Sequence, residues 1–216
     1  MVPAITRGLE LAIEGMRMEI VLMRHGRPAI HSAGPMTPKA FRDFMAAYDR
    51  APLDRSSLPS DEARGIAAGC KRVVCSDLGR SIESAAVLGH DEVHLRDEMF
   101  REILMPHAPL SYPRLSAVSW VWIFRTLQFG GYSVGAESFA AGNRRAARCA
   151  DRLVELAHGQ PRVLFVGHSA INYLIARRLK RLGWFGAGPR LDRYWGFMRF
   201  TAPSFASDAS ESHVNE

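Results

Sequence analysis

The sequence is poor in cysteine. Only Cys70, Cys75 and Cys149 occur in 216 residues, too few and too scattered for a disulfide framework or a cysteine-based metal motif. That usage fits a reducing compartment, so a cytoplasmic location is expected. No apolar run approaches the roughly 18 residues that would cross a membrane, and no membrane partner is expected. Residues 1–17 carry Glu10 and Glu14 among apolar positions. They lack the long apolar core of a signal peptide and read as an extension ahead of the first strand. Zinc-finger spacing, aromatic RNA-binding signatures and basic-zipper patterns are missing. Their absence removes the usual nucleic-acid-binding classes, even though the net charge is +6. Internal repeats are missing as well.

What the chain does have is dispersed arginine and enough apolar residues, 47%, for one sizeable core. Two denser basic clusters, Arg144, Arg145, Arg148, Arg152 and Arg177, Arg178, Lys180, Arg181, fall on predicted helices. A solvated helix face accounts for both. The positive balance suits a small phosphorylated substrate, which it would focus and steer.

Three apolar runs read as buried parallel strands: Ile20–Met23, Arg72–Cys75 and Val163–Val166. A weaker fourth is Glu92–Leu95. Each of the first three ends in a polar cluster and leads toward a helical pattern. Ser81–Leu88 follows the second and Ile171–Leu182 the third. This alternation predicts an α/β sandwich with a largely parallel sheet. Further helices are predicted over Lys39–Arg50 and Phe139–Ala157, the latter capped by Ser138. The segment Met105–Val134 is irregular, with Pro106, Pro109 and Pro113. Within it Trp120, Phe124 and Leu127 share one helix face. That face reads as a packed cap helix or as a lid.

Chemistry concentrates at the strand ends. Arg24-His25-Gly26 closes the first strand. Ser76-Asp77-Leu78-Gly79-Arg80 closes the second, with Arg80 near a helix start. Gly167-His168-Ser169 closes the third. Ligands bind at this edge of open α/β sheets. A guanidinium binds two phosphate oxygens at once, and helix N-termini favour anions. Two histidines and two arginines there suit a multiply charged oxyanion.

In this order the motifs resemble the histidine phosphatase superfamily, the phosphoglycerate-mutase-like fold. Its pattern is Arg-His-Gly, Ser-x-Leu-x-Arg, a central Glu and a late Gly-His. The matching residues are Arg24-His25-Gly26, Ser76 to Arg80, Glu102 and Gly167-His168. The resemblance implies a three-layer α/β/α sandwich with a mostly parallel sheet. The domain is expected over residues 18–201, with inserted cap segments near 31–60 and 105–134. A disordered tail is expected over 202–216.

It also implies a phosphomonoester hydrolase in which neutral His25 attacks phosphorus and forms a phosphohistidine. One ring nitrogen of His25 is then expected on a backbone carbonyl. Arg24, Arg80 and His168 would surround the phosphoryl oxygens, with no metal or other cofactor required. Glu102 is the expected general acid, with a raised pKa; Glu98 and Asp97 are its rivals. Arg27 and Ser169 are expected to bind substrate, although Arg27 could instead meet only a surface carboxylate. The sequence Arg27-Pro28 departs from the family pattern and leaves the substrate open, and Trp120 and Trp122 point to a partly apolar leaving group.

Three alternatives remain. A phosphoglycerate mutase would continue the first motif differently from Arg27-Pro28. A non-catalytic phosphate-binding module would not need His25 and His168 together. A serine hydrolase with Ser169 at a nucleophile elbow lacks the final Gly, because Ile171 stands there, and its downstream His is only His213. His90 and His94 do not match a zincin helix. Oligomeric state is open, a homodimer being one alternative.

Overall fold

The computed structural model describes residues 18–32, 34–188 and 191–203. The expected N-terminal extension and the tail beyond residue 203 lie outside these residues. In chain order the elements are β1 (Glu19–Arg24), α1 (Pro38–Arg50), α2 (Asp61–Ala68), β2 (Arg72–Cys75), α3 (Gly79–Val87) and β3 (Leu95–Arg96). A short 3-10 turn (Glu98–Phe100) follows. Then come α4 (Ala117–Phe129), α5 (Phe139–Ala157), β4 (Arg162–Gly167), α6 (Ser169–Arg181), β5 (Phe185–Ala187) and β6 (Phe197–Thr201).

The sheet order is β3-β2-β4-β1-β6-β5. β1 to β4 run parallel, and β6 pairs antiparallel with both β1 and β5. Alternation along β1 divides the core. Ile20 and Leu22 face α5 and α6, whose Leu153, Ile171 and Ile175 cover them. Val21 and Met23 face the other way, toward Ala63, Ala67 and Ala85 of α2 and α3. Successive strand side chains point to opposite faces, so a fully apolar run demands cover on both. All four side chains are fully buried, each burial worth about 1.5–3 kcal/mol. This is the three-layer sandwich.

The two inserted segments pack on each other. Phe41 of α1 stacks on Phe124 of α4 at 5.7 Å between ring centroids, and Trp120 Nε1 donates to the Met36 carbonyl at 2.7 Å. The α4 helix is therefore a packed cap helix. Its buried face is Trp120, Phe124 and Gln128, and Leu127 is 44% exposed. Spacing of four carries the buried stripe onto Gln128. Its amide donates to the Leu104 and Glu137 carbonyls and so tolerates burial. The weak strand predicted at Glu92–Leu95 reduces to Leu95–Arg96, because β3 is an edge strand paired on one side only.

Helix starts follow the sequence. Thr37, Ser60, Ser116 and Ser138 each accept an amide of the first turn. The parallel strands β1, β2 and β4 end together, so their C-terminal residues meet at one edge of the sheet.

Candidate active site

At that edge Arg24 and Gly167 are register partners, and the His25 amide donates to the Gly167 carbonyl at 2.9 Å. His25 and His168 thus leave adjacent strands side by side, with ring centroids 4.9 Å apart. Arg80, on the first turn of α3, reaches both. Its Nε donates to His25 Nε2 at 3.3 Å, and its terminal nitrogen to His168 Nδ1 at 3.4 Å. His25, Arg80 and His168 are 2%, 1% and 1% exposed.

The imidazoles are oriented from behind. His25 Nδ1 lies 2.6 Å from the Gly26 carbonyl and donates to it, which leaves the Nε2 lone pair toward Arg80. His168 Nε2 donates to Ser76 Oγ at 2.8 Å, and Ser81 Oγ lies 3.3 Å away. Burial first, then the His168 ring and the Arg80 cation, push His25 well below the ordinary imidazole range. Burial, then Arg80 and Arg24, do the same to His168. Both rings are neutral at physiological pH.

The arginines are held by groups that sequence reasoning missed. Arg80 donates to the carbonyls of Tyr48 and Asp49, at 3.2 and 3.0 Å, and pairs with the Asp49 carboxylate at 3.0 Å. Its Cζ lies 5.1 Å from the Tyr48 ring centroid. Arg24 donates to the Asp192 carbonyl and stacks over Tyr194 at 4.3 Å. Arg24 Nε is buried and has no hydrogen-bond partner among the described residues. A cationic donor left without a partner beside two imidazoles is suited to a ligand oxygen. Tyr48, Asp49 and Tyr194 lie in the 31–60 segment and in the turn before β6, where no motif marks them. Ser84, also unmarked, accepts the Gly26 amide at 2.9 Å and donates to the Arg80 carbonyl at 2.6 Å, linking the first two motifs.

Gly26 and Gly167 are required by close approach. A Cβ on Gly26 would sit 2.3 Å from the Trp195 indole and 2.6 Å from Leu53. Trp195 is fixed there by left-handed backbone (φ 62°), an indole bond to Ser57 Oγ and an amide bond to the Arg24 carbonyl. We expect Gly26→Ala to lower stability by about 3 kcal/mol through overpacking. A thermal melt should fall by about 10 °C; an unchanged melt would contradict this packing. A Cβ on Gly167 would sit 2.4 Å from both Asn172 and Phe165.

Three expectations change. Glu102 does not have a raised pKa. Its Oε1 accepts the Ile103 and Ile171 amides and its Oε2 the Ala170 amide, at 2.9, 3.0 and 3.1 Å. Burial alone would raise its pKa, but the Arg125 cation and these three amides outweigh it, and the direction is down. Glu102 therefore caps the first turn of α6, the helix that His168 precedes. Of its rivals, Asp97 accepts the Met99 amide through Oδ1 alone, and the Glu98 side chain is 77% exposed near Arg101.

Arg27 meets the surface carboxylate rather than standing free for substrate. It pairs with Asp54 at 2.8 Å and donates to Ser56 Oγ at 3.0 Å. The Ser56 amide and hydroxyl, then Arg27, hold the Asp54 pKa down at about 2. Pro28 bridges Leu53, so the departure Arg27-Pro28 fastens the 52–57 segment to the first motif. Ser169, the third, donates to the Leu191 carbonyl at 3.2 Å rather than to the imidazoles, and no elbow forms. His90 bonds the Ala67 carbonyl at 3.0 Å.

The depressed histidine pKa values have a consequence for stability. A histidine whose folded pKa lies below its unfolded value costs stability once pH falls below about 6.5, because the unfolded chain then binds more protons. Each contributes a slope of about 1.4 kcal/mol per pH unit. Between pH 6.5 and 5.5 the ligand-free protein should lose about 2 kcal/mol in urea melts, and inorganic phosphate should restore part of it. Flat stability across this interval would contradict the buried neutral pair.

Fold and site together define an α/β protein with two arginines and two histidines gathered at the carboxyl edge of its sheet. The sequence model of the histidine phosphatase superfamily (branch 1) matches residues 63–187, more than half of the chain, and the chain belongs to that superfamily. No curated protein matches it. Among solved structures it is similar to mycobacterial hydrolase 1, with 17% identity and a TM-score of 0.53 over 88% of this chain and 94% of that one. It is similar to mycobacterial glucosyl-3-phosphoglycerate phosphatase complexed with VO3, with 18% identity, a TM-score of 0.51, and 84% and 92% covered. It also resembles phosphoglycerate mutase from Bacillus anthracis, with 16% identity, a TM-score of 0.51, and 79% and 83% covered. At these identities the likeness is one of fold. No helix among the described residues is long and apolar enough to cross a membrane.

Proposed function

We propose that the protein is a metal-independent phosphomonoester hydrolase, acting on a small phosphorylated substrate through a phosphohistidine on His25. The observation that carries this reading is Arg80 donating to His25 Nε2 and His168 Nδ1 at once, with both rings buried and neutral. A neutral imidazole whose lone pair faces a guanidinium is a nucleophile beside its own charge stabiliser. On substrate binding, the phosphoryl oxygens replace the imidazoles as acceptors for Arg80, and Arg24 Nε gains an acceptor. His25 Nε2 forms the N–P bond as the P–O bond breaks. The phosphoryl dianion reverses the charge balance that keeps His168 neutral, so Nδ1 takes a proton from solvent as substrate binds, donates to an equatorial oxygen, and returns the proton to solvent when phosphate leaves. Water then attacks phosphorus, and the N–P bond returns its electron pair to Nε2.

The test is release of inorganic phosphate from a panel of phosphate esters, with and without chelator, together with trapping of an acid-labile, base-stable phosphoryl label on His25. No release from any ester would overturn the reading. The second reading, a mutase, is favoured only by the shared fold; it predicts that turnover depends on priming by a bisphosphorylated sugar acid.

A further inference from the structure

In the phosphatase reading the leaving group needs a proton, and most carboxylates around the cluster are engaged in other bonds. Glu102 has both oxygens on backbone amides. Asp49 is paired with Arg80, Asp77 with Arg101, and Asp97 accepts an amide. Two neutral donors do face the cluster. The Tyr194 ring lies 5.9 Å from the His25 ring and 4.3 Å from Arg24 Cζ. The Tyr48 ring lies 5.1 Å from Arg80 Cζ. Their hydroxyls meet at 3.2 Å. Arg24, Tyr194, Tyr48 and Arg80 thus form an unbroken chain of contacts around the two imidazoles.

We propose that the Tyr48–Tyr194 hydroxyl pair is the general acid, delivering a phenolic proton to the ester oxygen as it departs. The inference rests on the hydrolase reading above. As the N–P bond forms and the P–O bond breaks, one phenol gives its proton to the leaving oxygen and becomes a phenolate. The other hydroxyl donates to that phenolate, and the two guanidiniums stabilise its charge. In the second step, water attacks phosphorus and passes its proton to the phenolate, so the phenol is restored and no proton is lost. A departing alkoxide is more basic than a phenolate, so the transfer runs downhill for alkyl esters. Burial first, then Tyr194, push the Tyr48 pKa up, which keeps the phenol protonated before reaction. Positioned general acids contribute about 10²-fold or more, and they matter most when the leaving group is poor.

The experiment compares benzyl phosphate, a poor leaving group, with 4-nitrophenyl phosphate, a good one. Tyr→Phe removes the hydroxyl and keeps the ring on its guanidinium, and a thermal melt verifies folding. We expect Tyr48→Phe and Tyr194→Phe each to lose about 100-fold more kcat/KM on benzyl phosphate than on 4-nitrophenyl phosphate. The double variant should lose no more than the worse single one, because the pair acts as a unit. Equal losses on the two esters would show that the tyrosines only hold the arginines, and would overturn the assignment. A selective loss on benzyl phosphate in Glu102→Gln but not in the tyrosine variants would also overturn it. A parent protein that hydrolyses neither these two esters nor any ester of the panel would instead bring down the hydrolase reading itself.

Discussion

Replacing His25 by alanine should abolish phosphate release, by on the order of 10⁴-fold or more, while the protein stays folded. The size follows from the role. His25 Nε2 is the atom that would bond phosphorus, and among the described residues the other imidazole at the site, His168, is turned so that its Nε2 lies on Ser76. Its remaining nitrogen accepts from Arg80 and, on the proposed mechanism, would hold an equatorial oxygen rather than attack phosphorus. The fold should survive because the strand contacts of residue 25 are made by its backbone, through the amide on Gly167. Removing a buried imidazole also removes one of the two groups that cost stability in acid. Melts below pH 6.5 should therefore show the alanine variant losing stability less steeply than the parent. The cavity left beside Arg80 is the size of the lost ring, so added imidazole should restore part of the rate by accepting the phosphoryl group in its place. Steady-state phosphate release, quenched label on protein and imidazole rescue together check the role. A variant that retains full turnover would remove His25 from the mechanism and leave the cluster as an anion-binding site.

The strands that build the site are legible in the sequence because their chemistry is redundant. Ile20–Met23 and Val163–Val166 are apolar on both faces, which only a doubly covered parallel strand requires. Each then breaks into a basic or imidazole residue. The long helix Phe139–Ala157 is equally clear, because its stripe is amphipathic and Ser138 caps it. The weaker elements are hidden for local reasons. The α2 helix is short and contains Gly65, and β5 is three exposed residues on the sheet edge. β6 shows no clean alternation: Phe197 and Phe200 are buried three residues apart, on opposite faces of the sheet. At the site, Arg24, His25, Arg80 and His168 stand out because a cation or imidazole is costly to bury at the end of an apolar strand unless it meets a charged ligand. The groups that hold them do not stand out. Tyr48, Asp49 and Tyr194 contribute backbone carbonyls, a carboxylate and ring faces from segments distant in sequence, and those contacts exist only once the cap segment folds over the sheet edge. Glu102 is marked by its motif, but its chemistry is not. From the sequence a buried carboxylate near the site implies a raised pKa; only the folded chain turns it toward the amides of a helix N-terminus.

Replacing Glu102 by glutamine should cost about 3 kcal/mol of stability, although the side chains are nearly isosteric. The carboxylate accepts three amides with two oxygens and lies near the half-buried Arg125 cation. Glutamine offers one carbonyl oxygen, and its NH₂ would face an amide that also donates. The loss therefore combines an unsatisfied amide donor, the removal of one of the two carboxylates that face the Arg125 cation, and a weaker match to the positive end of the α6 dipole. For a chain of this size the melting temperature should fall by about 6–12 °C. The pH dependence has a definite sign. The folded-state carboxyl pKa lies below the unfolded value, so its contribution is present at neutral pH and is lost as pH falls through about 4.3 and below. The gap between parent and variant should close in acid. Catalysis should suffer through geometry, because His168 immediately precedes the turn that Glu102 caps. The rate should fall alike on esters with good and poor leaving groups. Differential scanning at pH 7 and pH 4, with kcat measured on both ester types, checks both effects. A glutamine variant as stable as its parent, but slow only where the leaving group is poor, would return Glu102 to the role of proton donor and take it from the tyrosine pair.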